Sequence, residues 1–109
     1  MESRQDRKLA KSRARVIKAL GHPTRIYMVE LLSKQDLSVG ELTQAVQADV
    51  STVSKHLSLL KQAGILGDRK EGNRVFYVLL RPCIMGFIHC IDDVIFEDAQ
   101  QGISCLRPS

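Results

Sequence analysis

Apolar positions follow a helical spacing along most of the chain. Residues 5–20 predict a first amphipathic helix, which the sequence Gly21-His22-Pro23 ends. Thr24 can cap a second helix that continues to about Ser33, again with apolar residues three and four positions apart. The first third of the chain therefore predicts two consecutive helices with a sharp break between them.

A helix-turn-helix is predicted for residues 38–64. Ser38 and Glu41 have the spacing of a capping box, in which each side chain accepts a hydrogen bond from the other residue's backbone N–H. A third, short helix is therefore expected to begin there. Asp49 or Ser51 can cap a fourth helix a few residues later. Two helices separated by so short a turn are typical of DNA-binding helix-turn-helix units.

The fourth helix has two distinct faces. Val53, Leu57 and Leu60 recur at i, i+4 and i+7 and predict a buried stripe. The other stripe consists of short polar side chains and one cation: Ser51, Ser54, Lys55, Ser58 and Gln62. Serines let a helix approach a surface closely and still donate hydrogen bonds, which suits a helix in the major groove of DNA. An ordinary solvent-exposed face is the alternative interpretation.

Residues 66–79 predict a β-hairpin directly after this helix. Two strand-like runs flank Glu71-Gly72-Asn73, a sequence typical of tight turns. The tip has three cations and an asparagine: Arg69, Lys70, Asn73 and Arg74. A basic hairpin after a helix-turn-helix is typical of a winged helix, whose wing can contact the phosphate backbone. Residues 83–99 then predict a last helix, and residues 100–109 a loose tail.

The bulk composition predicts one small globular domain over residues 1–109. Hydrophobic residues make up 44% of the chain and charged residues 26%. The sequence contains no run of about 20 apolar residues that would predict a membrane span, and no secretion signal is recognised. Three cysteines without a pairing pattern favour a reducing compartment. We therefore expect a cytoplasmic protein without membrane contacts.

Charge is unevenly distributed along the chain, whose net charge is +4. Residues 1–18 have seven basic and two acidic side chains, whereas residues 82–109 have one basic and four acidic ones. A basic front and an acidic back favour oriented binding to a polyanion such as DNA.

Four segments, in order, resemble the ArsR/SmtB family of bacterial winged-helix repressors: LGHPTRIYMVELL, LSVGELTQAV, VSTVSKHLSLLKQAGIL and GNRVFYVL. The resemblance implies a mainly α-helical winged helix-turn-helix with a small hairpin wing. It also implies a homodimer that pairs through its first and last helices, binds an imperfect palindrome in its operator, and dissociates when an inducer binds. No cofactor is expected for DNA binding. An enzyme is not expected, because the chain lacks a phosphate loop, a carboxylate pair and a nucleophile elbow.

Carried over by position, the resemblance places the operator-reading face at the start of the fourth helix. Together with their neighbours on that helix, the residues are Val50, Ser51, Thr52, Ser54, Lys55 and Ser58. Many members of the family have a glutamine at the position of Val50. The resemblance therefore implies the docking mode rather than the base preference.

The family's usual inducer sites match this chain poorly. Arsenic and cadmium sensors often have a cysteine–valine–cysteine in the third helix, where this chain reads Ser38-Val39-Gly40. The zinc-type site aligns with Arg81, Cys83, Val94 and Glu97, and an arginine and a valine cannot be ligands. A standard site of either kind is therefore not expected.

Three cysteines, Cys83, Cys90 and Cys105, are confined to the C-terminal part of the chain. Seven residues along one helix would separate Cys83 from Cys90 by about 10.5 Å, too far for a disulfide or a shared ion. Joint action would therefore need a partner protomer, in which Cys83 faces Cys90 or two copies of Cys90 meet, or a tail that folds Cys105 back.

Such a thiol site suits As(III), Sb(III), Cd(II) or Pb(II) as inducer. Reversible oxidation or persulfide formation at the same thiols is one alternative. The other is that the cysteines only fill apolar space and that the repressor has no metal inducer.

Overall fold

The computed structural model describes residues 3–101, with side chains to residue 97. The elements are α1 (Arg4–Leu20), α2 (Pro23–Lys34), β1 (Leu37–Ser38), α3 (Val39–Val46), α4 (Val50–Gln62), β2 (Leu66–Glu71), β3 (Arg74–Leu79) and α5 (Ile84–Gln101). Within these residues, no helix has both the length and the apolar character needed to cross a membrane.

Side-chain caps define the helix starts. Ser38 and Glu41 form the predicted capping box, with Glu41 N donating to Ser38 Oγ at 3.2 Å and Ser38 N to Glu41 Oε1 at 2.9 Å. Asp49 is the cap of α4, and its Oδ1 accepts from Thr52 N at 3.2 Å. These caps satisfy backbone N–H groups that have no partner inside the helix.

The cap predicted for α2 is wrong. Pro23 is the first residue of the helix, so the cap is the residue before it, His22. Its ring nitrogen Nδ1 accepts from Thr24 N at 3.1 Å. Thr24 therefore supplies a donor to the cap and is itself inside the first turn.

The hairpin belongs to a three-stranded antiparallel sheet of order β1-β3-β2. β2 pairs with β3 from Leu66↔Leu79 to Glu71↔Arg74, so only Gly72 and Asn73 form the turn. Gly72 has a φ of 64°, a left-handed conformation that glycine adopts without steric cost. β1 has two residues, pairs with β3 through Leu37↔Tyr77, and was not predicted from the sequence.

One core joins the helices to the sheet. Its fully buried members include Val53, Leu57 and Leu60 of α4, which confirms the predicted stripe. The other buried apolar residues are Leu20, Met28, Val29, Leu32, Leu42, Ile65, Leu66 and Ile88. Ile88 connects α5 to this core, so the last helix packs on the same domain.

The last helix differs from its predicted bounds. α5 begins at Ile84, so Cys83 lies in the turn before the helix rather than within it. The helix continues to Gln101, two residues beyond the predicted end. Residues 102–109, most of the predicted tail, lie outside the described residues.

Several large apolar side chains remain exposed on α1 and α5. On α5 they are Phe87, Ile91, Val94, Ile95 and Phe96, and on α1 Leu9 and Ile17. A groove of about 450 Å³ between the two helices is lined by Val16, Ile17, Leu20, Ile84 and Phe87, with Arg13 and Cys83 at its sides. An apolar surface shared by two helices is typical of a protein interface.

Alanine substitutions at a buried and an exposed leucine of α4 test the orientation of this helix on the core. Leu57 is fully buried, so Leu57→Ala should lower the free energy of unfolding by about 2–5 kcal/mol. Leu59 on the same helix is 46% exposed, so Leu59→Ala should cost less than about 1 kcal/mol. Urea unfolding followed by circular dichroism measures both. Equal losses in the two variants would contradict this orientation of α4.

Candidate nucleic-acid interface

Burial of one stripe of α4 turns its polar stripe toward solvent. Val53, Leu57 and Leu60 are fully buried. The predicted DNA-binding residues of the helix are all exposed: Val50, Ser51, Thr52, Ser54, Lys55 and Ser58. Side chains of i and i+4 lie one above the other on a helix, so Ser51, Lys55 and Ser58 form a continuous row. The structure therefore leaves all six residues accessible and places Ser51, Ser54, Lys55 and Ser58 together on one face.

Only part of this face has free hydrogen-bonding groups. Ser51 Oγ donates to Asp49 Oδ2 at 3.1 Å, so this hydroxyl is engaged in the cap. Hydrogen bonds from Thr52 and from Ser51 hold the pKa of the Asp49 carboxyl below its ordinary value. In the described part of the chain, the side chains of Ser54, Lys55 and Ser58 have no such partner. These three are the groups available to an incoming polar surface.

The wing presents Lys70 and Asn73 at its tip, both exposed. Lys70 is paired in register with Val75, one residue pair away from the two-residue turn. Its ammonium group makes no ion pair with any described residue. Lys70 is therefore the wing cation that is free to bind an external anion.

Arg69 is held by acidic side chains of the protein itself. Its Nε donates to Asp36 Oδ2 at 3.1 Å, and its Nη1 pairs with Glu71 Oε2. Glu71 and Asp36 raise the pKa of Arg69, which stays charged. Two carboxylates offset one guanidinium, so this position adds little net positive charge to the wing.

Arg74 links the wing to the helix-turn-helix. Its Nη2 donates to Ser38 Oγ at 3.2 Å and lies 3.8 Å from Glu41 Oε1. Hydrogen bonds from Ser38 and the charge of Arg74 lower the pKa of Glu41. The guanidinium groups of Arg74 and Arg69 both lie over the Phe76 ring, at 4.9 and 4.7 Å from its centroid.

His22, Arg25 and His56 form a basic cluster that joins α4 to the start of α2. Arg25 donates from Nε to Ala19 O at 2.6 Å, and its Nη1 lies 3.1 Å from His56 Nδ1. The His56 ring is 4.6 Å from the ring of His22. Sequence patterns could not indicate this cluster, because Arg25 and His56 are 31 positions apart. Through these contacts the cluster connects the end of α1 and the start of α2 to α4.

The cysteines of the described region are both exposed and unbonded. Cys83 lies at the edge of the groove between α1 and α5, and Cys90 lies on α5. Among residues 3–101, no three His, Cys, Asp or Glu side chains are grouped closely enough to hold a metal ion. Cys105 lies outside the described residues. Within one chain, the described residues thus place neither cysteine in a group of three potential metal ligands.

An exposed polar recognition helix beside a hairpin wing defines a winged helix-turn-helix domain. Residues 22–67 match the family described as "Bacterial regulatory protein, arsR family". An uncharacterised HTH-type transcriptional regulator of Mycobacterium tuberculosis is 40% identical over 77 residues, which cover 70% of this chain and 68% of that protein. The chain belongs to the ArsR family, and it is accordingly a transcriptional regulator rather than an enzyme.

A second relative and three solved structures agree with this family. The biofilm growth-associated repressor of Xylella fastidiosa is 36% identical over 95 residues, 87% of this chain and 83% of that protein. The crystal structure of the Xylella fastidiosa repressor BigR has a TM-score of 0.71 and 30% identity, covering 85% of this chain and 96% of that chain. A crystal structure of a Mycobacterium tuberculosis protein has a TM-score of 0.77 and 34% identity. This match covers 85% of this chain and 94% of that chain.

The third structure is the homodimeric winged helix-turn-helix DNA-binding domain of a possible ArsR-family regulator from Mycobacterium bovis. Its TM-score is 0.76 at 26% identity, and the match covers 84% of this chain and 88% of that chain.

The basic cluster should make stability depend on pH. Burial, and then the nearby His22 and Arg25, lower the pKa of His56 from its ordinary value of 6.5. In the unfolded chain His56 takes up a proton more readily than in the folded chain. The free energy of unfolding should therefore fall as the pH drops from 6.5 through the folded-state pKa.

His56→Asn tests this dependence, because asparagine keeps an acceptor for Arg25 and does not titrate. Urea unfolding at about pH 7.5 and 5.5 should show a smaller loss of stability for the variant than for the unmodified protein. An identical loss in both proteins would show that His56 does not contribute.

Proposed function

We propose that the chain is a dimeric transcriptional repressor that binds duplex operator DNA and leaves it when an inducer binds. The observation that carries this proposal is the exposed polar face of α4, on which Ser54, Lys55 and Ser58 have no partner among the described residues. Serine hydroxyls both donate and accept, and Lys55 supplies a positive charge, so the row fits base edges and phosphates of a major groove.

The wing extends this contact to the phosphate backbone. Lys70 and Asn73 at its tip are exposed, so they fit a neighbouring phosphate group. Arg74 has a 60% exposed side chain and five N–H donors, so it can bind phosphate while keeping its bond to Ser38. Arg69 contributes less, because Asp36 and Glu71 already offset its charge.

A second copy of the chain is the proposed occupant of the apolar surface on α1 and α5. Phe87, Ile91 and Val94 are 43%, 38% and 61% exposed, an unfavourable arrangement for large apolar groups in water. The groove between the two helices continues this surface. The homodimeric relative from Mycobacterium bovis has the same fold. Dimerisation would set two recognition helices against the two halves of a palindrome.

Repression is favoured over activation by the names of several relatives. The Xylella fastidiosa protein and one Bacillus subtilis relative are named repressors, the latter 33% identical over 64 residues. A Vibrio cholerae relative is named a transcriptional activator. The mode of regulation is therefore proposed from the relatives, and DNA binding from the site.

Lys55→Ala is the direct test of the recognition face. The DNA for the test is a duplex that the unmodified protein selects from a random pool. The variant should bind this duplex about fivefold to tenfold more weakly, and its salt slope should be smaller by up to about 1.8, because each protomer of the proposed dimer loses one cation. Fluorescence anisotropy over about 0.05–0.2 M salt measures both quantities.

Lys34→Ala, which removes an exposed lysine at the end of α2, is the matched control and should leave both values unchanged. If the pool yields no bound duplex, the proposed function is wrong. If Lys55→Ala and Lys34→Ala behave alike, the assignment of the recognition face is wrong.

The inducer is proposed to act at the cysteines of α5 and its preceding turn. Cys90 is exposed and lies one helical turn from the exposed Phe87 and Val94, so a dimer formed through this surface would include it. Cys83 lies at the groove edge of the same surface. Thiols of two protomers can then share a thiophilic ion such as As(III), Sb(III), Cd(II) or Pb(II).

Serine substitutions separate the inducer classes. As(III) or Cd(II) should release the reduced protein from the selected duplex, and Cys83→Ser or Cys90→Ser should abolish release without weakening DNA binding. The variant Cys105→Ser should also lose this release if the thiol of Cys105 binds the inducer. Gel shifts measure bound DNA, and sedimentation checks that each variant keeps the oligomeric state of the unmodified protein.

The alternatives have different outcomes in the same series. Release only by peroxide or persulfide, reversed by a reductant, would support a redox sensor that uses the same thiols. No response to metals or oxidants would contradict both proposals and support a repressor without such an inducer.

A further inference from the structure

Five cations of α1 lie in one row along the helix. Arg4, Lys8, Lys11, Arg15 and Lys18 are spaced alternately by four and three residues, so at 100° per residue they fall within about 80° of one another. All five are exposed. At 1.5 Å per residue the row is about 21 Å long. We call this row the α1 stripe.

The stripe is not neutralised by the protein. Within the described residues, none of its five cations forms an ion pair. The acidic residue of the helix, Asp6, lies on the other side and bonds to the cap residue Ser3 through both Ser3 N and Asp6 N. The wing differs, because Arg69 has two carboxylate partners. The stripe is therefore a concentrated positive surface that an external anion could bind.

The stripe runs toward the recognition helix. Arg15 and Lys18 line a cavity of about 320 Å³ together with Arg25 and, from α4, Leu59 and Gln62. Among the described residues, none that lines this cavity is acidic. Lys55, Leu59 and Gln62 follow one another at i, i+4 and i+7, so the cavity adjoins the edge of the proposed DNA-reading face.

We propose that the α1 stripe is a third DNA-contacting surface, which binds the phosphate backbone beyond the segment held by α4 and the wing. This proposal rests on the proposed function, since it requires DNA to lie on the face of Lys55. Duplex DNA has one negative charge per about 1.7 Å of axis, so a 21 Å row of cations meets phosphates at several points. Because lysine and arginine on an exposed helix read charge and not bases, the stripe adds affinity without sequence preference.

A membrane surface fits the stripe less well than DNA. Helices that lie on membranes insert an apolar face opposite their basic face. In α1, Val16, Ala19 and Leu20 pack against the protein core, and Ile17 lines the groove with α5. Leu9 and Ile17 are exposed but belong to the surface proposed for the second copy of the chain, so little of the apolar side is left for lipid. The cations of the stripe remain accessible.

Two double variants with the same change in charge test the stripe. Lys8→Gln/Lys11→Gln removes two charges of the stripe. Lys34→Gln/Arg81→Gln removes two charges outside it, since Lys34 ends α2 and Arg81 follows β3, and both are exposed. Glutamine is a good helix former, so both variants should fold. Circular dichroism and sedimentation verify the helix content and oligomeric state.

Binding is measured on the selected sequence placed within a duplex of about 40 base pairs, longer than two half-sites one turn apart. The stripe variant should bind at least roughly tenfold more weakly at about 0.1 M salt. Its salt slope should be smaller by up to about 3.6, because each protomer of the proposed dimer loses two cations. The control variant should retain the unmodified values. A random duplex of equal length should show the same loss for the stripe variant, because backbone contacts are independent of sequence.

The measurements distinguish failure of the stripe proposal from failure of the proposed function. If Lys55→Ala weakens binding but the stripe and control variants match in affinity and slope, the stripe proposal is wrong and the proposed function stands. If the stripe variant instead loses binding to phosphatidylglycerol vesicles while binding DNA normally, the partner is a membrane and the proposal is also wrong. If the unmodified protein binds no duplex, both proposals fail.

Discussion

Burial of three side chains of α4 determines how the rest of the surface is used. Val53, Leu57 and Leu60 are fully enclosed by α2, α3 and the sheet, and burying each such side chain contributes about 1.5–3 kcal/mol. A rotation of α4 about its axis would expose them, so the helix has one favourable orientation. In that orientation Ser54, Lys55 and Ser58 point away from the core. Burial of the apolar stripe thus determines where the polar side chains of α4 point.

The sequence predicted those parts of the fold that depend on local chemistry. The capping box at Ser38, the period of the buried leucines and the turn at Gly72 each involve residues close together in the chain, and each is present in the structure. The cap at His22 was missed because histidine is an uncommon cap residue, although Pro23 at the first helical position could have indicated it. β1 was missed because two residues are too few to show alternation.

The different surroundings of the three wing cations could not be predicted from residues close together in the sequence. Arg69, Lys70 and Arg74 look equivalent in the sequence, as three cations at a hairpin tip. Their surroundings differ because Asp36 and Ser38, more than 30 positions away, bond to Arg69 and Arg74. Such pairings depend on the register of β1 on β3. Lys70 alone of these three has no partner in the described region, so the structure divides a set that the sequence treated as uniform.

The two guanidinium groups that lie over the Phe76 ring lower the entropy cost of binding a ligand. A free arginine side chain has rotamer entropy worth up to about 2 kcal/mol, which is lost when a ligand fixes it. Stacking on Phe76, together with the bonds to Ser38 and Asp36, already restricts Arg74 and Arg69 in the isolated protein. Much of this ordering cost is therefore met during folding, and a phosphate that binds Arg74 encounters a group already close to its bound conformation.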